Sequence, residues 1–128
     1  MDLPEYLRRV SSKNMLQPEP WGYYKKIYNQ KWILWVKEMF VSEGERTSLQ
    51  SHEARDEYFF FIKGYGSIRI GKHIEKCNNR SKGRFFFCPR NLKHRIEGGK
   101  NGIMFVEVAM GVPKESDITR YEDDYKRM

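Results

Sequence analysis

From Trp21 onward the chain is a succession of short β-prone runs broken by glycine. YYKKIYN, KWILWVKEMFV, RTSLQSH, EYFFFIK, SIRIG, RFFFCP, HRIEG and IMFVEVAM follow one another, with Gly44, Gly64, Gly66, Gly71, Gly83, Gly98, Gly99 and Gly102 as punctuation. β-branched and aromatic residues suit a pleated, half-buried surface, and glycine supplies the turns between strands. No helical periodicity intervenes, so the pattern predicts an all-β domain, an antiparallel barrel or jelly roll. The first residues differ: Leu3, Tyr6, Leu7 and Val10 fall at helical spacing, and SSKNMLQPEP then reads as a turn ending in Pro18 and Pro20. Residues 1–18 are expected to form a short N-terminal arm and residues 19–128 the barrel. The tail from Lys114 is expected to carry a helical turn or to pack across the barrel.

A chain of 128 residues can close one hydrophobic core. No apolar run reaches the roughly 20 residues that span a bilayer, and the first residues hold no apolar signal region. The expectation is a cytoplasmic protein with no membrane partner. Cys77 and Cys88 are too few for a disulfide framework, and no C-x-x-C occurs. The formal charge of +7 favours anionic ligands. There is no block of five or more like charges, so nucleic acid is not expected as a partner.

The chemistry concentrates in two stretches, GERTSLQSHEARDEYFFFIKG and GRFFFCPRNLKHRIEG. Strand alternation puts Gln50 and His52 on one face, and a short turn brings Glu57 toward them. His94 opens a strand after the Pro89 turn. Two imidazoles, a carboxylate and an amide oxygen make a mixed nitrogen–oxygen site. It suits one divalent ion: zinc, manganese, iron, cobalt or nickel. His73 has no partner in either stretch and is assigned no role.

The spacing Gly44–Gln50–His52–Glu57–Gly64 followed by Gly83–Pro89–His94 resembles the paired motifs of the cupin superfamily, with Gln50 in place of a histidine and Asn91 in place of a glycine. That resemblance implies a double-stranded β-helix, the jelly-roll barrel. A narrower likeness runs from Pro20 to Arg127. PWGYY, Lys37, SLQSHEARDE, LKHRIEG, FVEV and SDITRYEDDYKR are similar to segments of the type II mannose-6-phosphate isomerase family. Ala54 and Lys126 depart from its pattern, and residues 71–83 match it poorly. The guanylyltransferase activity of the bifunctional relatives is expected to be absent.

The resemblance implies metal-dependent isomerisation of mannose 6-phosphate to fructose 6-phosphate, with a small anionic sugar phosphate as substrate. Arg55 is the candidate for substrate anchoring or transition-state stabilisation. Lys37, Lys93 and Arg95 are candidate phosphate contacts, Lys93 also a candidate in catalysis. Lys93 and Arg95 flank His94, so they need a bulge to enter its pocket. Lys37 shares strand parity with apolar residues, an unusual place for a lysine. Glu107 is a candidate base with a raised pKa if it faces the interior, and otherwise a structural ion-pair partner. A metal-bound hydroxide is the other candidate base. Phe59, Phe61, Phe85 and Phe87 are expected to fill the barrel. The outward Tyr58, Phe60 and Ile62 are expected to make a homodimer. A sugar- or sugar-phosphate-binding module without catalysis, and a metal-dependent oxygenase, are the competing functions.

Overall fold

The computed structural model describes residues 16–128. The arm's expected helix lies outside them. In chain order the strands are β1 (Leu16–Glu19), β2 (Gly22–Gln30), β3 (Leu34–Val41), β4 (Leu49–Ser51), β5 (Arg55–Ile70), β6 (His73–Cys77), β7 (Phe85–Cys88), β8 (His94–Gly111) and β9 (Thr119–Glu122). A single 3-10 turn, Asn79–Ser81, separates β6 from β7, and the described residues contain no α-helix. No helix among them is long and apolar enough to cross a membrane.

All strand pairs are antiparallel, and β5 and β8 are the spine. Each long strand serves both halves of a curled sheet. The first half of β5 pairs with β7 and with residues 103–111 of β8, which also carries β3, β2 and β1. The second half of β5 pairs with β6 and with residues 94–98 of β8, whose Gln50↔His94 pair brings in β4 and then β9. The fold bends where the register slips, between Phe61 and Lys63 and between Gly64 and Gly66. At Gly64 φ is +103°, and a Cβ there would lie 2.2 Å from the Gly102 carbonyl oxygen. Only glycine lets the two backbones approach this closely while the sheet turns over on itself.

Strand parity then fills the interior. β3 alternates strictly, sending Trp35, Lys37, Met39 and Val41 inward. Phe105 meets Phe59, Phe61 and Phe86 edge to face at 6.3, 5.8 and 6.4 Å. Each fully buried phenylalanine contributes about 2–3 kcal/mol of apolar transfer free energy. The expectation for β7 needs correction. Phe85 and Phe87 face outward at 60% and 44% exposure, and Phe86 and Cys88 face the core. The pairs Glu57↔Cys88 and Phe59↔Phe86 set that parity, which a run of three phenylalanines leaves open.

Four other readings change. SIRIG continues the strand of EYFFFIK, and HRIEG continues into IMFVEVAM. Residues 73–77 form β6, where no strand was expected. Leu16–Glu19 is a strand paired with β2, not part of a turn. The tail follows the second of its two expected courses, packing across the barrel as β9 against β4.

Candidate metal centre and its cavity

His52, Glu57 and His94 come together inside the barrel, with one ligand atom from each within 4.8 Å of the others. All three are buried. Glu57 reaches inward from the start of β5, His94 from the start of β8, and His52 follows β4. The Oε1 of Glu57 lies 3.2 Å from His52 Nε2 and 3.0 Å from His94 Nε2. The far nitrogens are already engaged: His52 Nδ1 is 2.7 Å from the Asp117 carbonyl oxygen, and His94 Nδ1 is 3.2 Å from that of Leu92 and 3.3 Å from Cys88 Sγ. Donation from Nδ1 to a carbonyl fixes the tautomer and leaves Nε2 as the ligand atom, the usual outer support of a metal-binding histidine.

Electrostatics agree with a cation site. Burial opposes a charge on Glu57, but the two imidazoles outweigh it and hold its carboxyl well below the usual range. Burial also opposes a charged His94, yet Cys88 and Glu57 push its pKa up to about 10. Glu57 Oε1 and His94 Nε2 are nevertheless buried atoms without a well-directed hydrogen bond. A divalent ion between them would satisfy both and displace the shared protons. The residues therefore fit a divalent metal: two nitrogens, one carboxylate and a net ligand charge of −1. Gln50 lines the adjoining cavity, its Oε1 accepting from the Ser48 hydroxyl at 3.3 Å.

The cavity beside the cluster, of about 100 Å³, is rich in charge. Arg55 is 5% exposed and stacks 4.6 Å from the Trp35 ring centre. Its Nε donates to Glu57 Oε2 at 3.2 Å, and one terminal nitrogen lies 3.2 Å from His52 Nε2. A cation bound at His52 Nε2 would take that lone pair and displace the guanidinium from it. Lys37 is buried, 3.9 Å from the Trp35 ring centre, and pairs with Glu115 at 2.5 Å. Glu107 is buried and accepts from the Trp35 indole nitrogen at 2.8 Å, so its hydrogen-bond partner is an indole and not a cation. Burial and the neighbouring Glu57 raise its pKa to about 7, against the pull of Lys37 and Arg55.

Two sequence candidates lie elsewhere. Lys93 is exposed, its ammonium 4.2 Å from the Tyr121 ring centre, and it does not line the cavity. Arg95 is buried but turned away from the cavity, donating to the Thr47 carbonyl at 3.2 Å and pairing with Glu122 at 3.5 Å. No bulge brings either into the pocket, as strand alternation at His94 foretold.

Other participants escape sequence reasoning. Residues 112–118 form a strap beside the centre. Its Asp117 carboxylate accepts from the Glu53 and Ala54 amides at 2.9 Å, while its carbonyl holds His52. Arg55 donates to the strap's Lys114 carbonyl at 2.7 Å. Arg120, from β9, also lines the cavity. The one signal for these residues was the tail segment SDITRYEDDYKR.

A curled antiparallel barrel with an internal His–Glu–His cluster defines a cupin. Solved structures agree on the fold. Oxalate decarboxylase from Bacillus subtilis superposes with a TM-score of 0.73 at 19% identity, over 86% of this chain and 30% of that one. The capsular polysaccharide assembling protein CapF from Staphylococcus aureus does so with a TM-score of 0.70 at 16% identity, over 84% and 34%. Within the cupins, the chain belongs to the mannose-6-phosphate isomerase C-terminal family, whose profile matches residues 9–123. It is 31% identical over 111 residues to the xanthan biosynthesis protein XanB of Xanthomonas campestris, covering 84% of this chain and 23% of the relative. It is 29% identical to the mannose-1-phosphate guanylyltransferase ManC of Salmonella typhimurium, covering 85% and 22%. The chain thus spans less than a quarter of the curated relatives it matches.

Proposed function

We propose that this cupin is a metal-dependent sugar-phosphate isomerase acting on mannose 6-phosphate to give fructose 6-phosphate. One observation carries the reading: a buried carboxyl, Glu107, shares a cavity with buried cations and adjoins the His–Glu–His cluster. Aldose–ketose exchange requires removal of a weakly acidic proton beside a carbonyl and its return to the neighbouring carbon. A divalent cation held by His52, Glu57 and His94, with Gln50 alongside, would polarise the substrate oxygens.

This chain's own residues do the rest. Ionised Glu107 takes the proton from C2 of the open-chain sugar and, now neutral, returns it to C1, while the hydroxyl proton of O2 passes to O1 by way of solvent. Burial raises the pKa of this carboxyl, and a more basic carboxylate suits both halves of that transfer. The Trp35 indole N–H holds its Oε2 in place. Arg55, braced by Glu57 and the Lys114 carbonyl, presents fixed positive charge where negative charge develops on the substrate oxygens. Lys37 and Arg120 line the same cavity and supply cations for the phosphoryl group.

Elemental analysis followed by a coupled isomerase assay tests this reading. Wild-type protein should carry about one divalent ion and turn over mannose 6-phosphate. Glu57→Ala or His94→Ala should lose the ion, and Arg55→Ala should keep it and lose turnover. Metal-loaded protein that binds the sugar phosphate without isomerising it would select the non-catalytic module.

A further inference from the structure

We propose that Tyr24, Lys26 and Lys37 form a phosphoryl subsite which Glu115 occupies in the free protein as a tethered anion, and that the ligand's phosphoryl group must displace it. The inference rests on the isomerase reading only for the natural ligand, a sugar phosphate.

Lys37 faces the interior of β3 at 6% exposure, between the aromatic rings of Tyr24 at 4.1 Å and Trp35 at 3.9 Å. A buried ammonium requires an anion close by. That anion is Glu115, on the strap, whose side chain is 52% exposed. The same Oε1 lies 3.5 Å from the Lys26 ammonium, and Tyr24, whose ring packs against Lys37, lines the cavity beside Glu115. Two ammonium groups on one carboxylate oxygen make a set suited to a tetrahedral dianion, which has more acceptor oxygens and twice the charge.

Glu115 can leave without unfastening the strap. The strap is pinned on either side of it, by Val112 N–H to the Ala54 carbonyl at 2.9 Å and by Asp117 to the Glu53 and Ala54 amides. Only side-chain torsions need change for the carboxylate to swing into solvent. The device sets specificity. A phosphoryl dianion outcompetes one carboxylate for Lys37 and Lys26, whereas acetate and chloride, with a single charge each, do not. Free ligand sees only the fraction of protein in which Glu115 has swung away, so its apparent affinity falls by that fraction.

Calorimetric titration of the full chain with inorganic phosphate, with acetate and with mannose 6-phosphate tests the proposal. Glu115→Gln removes the tethered charge and should bind inorganic phosphate about tenfold more tightly than wild type. It should also bind acetate, which wild type rejects. The double variant K37M/E115Q removes both members of the buried pair and so leaves no charge stranded. It should lose phosphate binding while melting cooperatively. The proposal is overturned if Glu115→Gln binds phosphate no more tightly than wild type, or if the double variant still binds it. Tighter phosphate binding in Glu115→Gln without turnover of mannose 6-phosphate would keep the subsite and remove the isomerase reading.

Discussion

Replacing Glu107 by glutamine should stabilise the protein at alkaline pH and leave it little changed in acid. The carboxyl has an ordinary pKa of 4.5 and one of about 7 in the fold, chiefly because burial penalises its charge. Below pH 4.5 the folded and unfolded states both carry the proton, and Glu107 costs nothing. Between 4.5 and about 7 the unfolded chain releases the proton while the fold retains it, so stability declines as pH rises. Above 7 the folded group also ionises and the deficit levels off. The interval corresponds to about 3 kcal/mol. Glutamine keeps an acceptor for the Trp35 indole nitrogen and has no charge to bury. At pH 8, with a chelator present, E107Q should therefore melt roughly 10 °C above wild type for a chain of this size, and at pH 4.5 the two should nearly coincide. Thermal or urea unfolding across this range is the assay. A variant less stable than wild type at pH 8 would refute the reasoning, since it would mean that Lys37 and Arg55 hold Glu107 ionised and favourably paired.

Three further outcomes are expected. Asp117→Ala removes the acceptor for the two amides beside His52 and should lower metal affinity about 10–100-fold, measured by competition with a chromogenic chelator. An unchanged affinity would show that the strap does not position His52. Gly64→Ala places a Cβ against the Gly102 carbonyl at an unfavourable φ and should cost about 2 kcal/mol or more in urea unfolding, an expectation that a near-neutral change would contradict. The outer sheet face carries cross-strand rows Tyr28–Val36–Val108–Tyr58–Phe87 and Val106–Phe60–Phe85, the second flanked by the Lys25–Glu38 ion pair. We expect it to bury itself in a homodimer, which Phe60→Glu should break in sedimentation velocity runs at micromolar concentration. A wild-type monomer there would remove that expectation.

The sequence by itself determined the fold class and the inner cluster. Strand periodicity and glycine punctuation act over a few residues, and His52, Glu57 and His94 sit at spacings that backbone geometry turns inward. It also placed Lys37 correctly among inward residues, because alternation along β3 is unbroken. Only the tertiary structure decided the rest. The parity of FFFC could come only from its pairing with β5, since three consecutive phenylalanines look alike from either face. Glycines at 64 and 66 read as strand breaks, yet they are bends within one strand, because the partner strand bends beside them. The strap is the clearest case: Glu115 and Asp117 lie some sixty or more residues beyond the side chains they serve. No local pattern encodes such a contact. It exists because closing the barrel carries the chain end back across the mouth of the cavity.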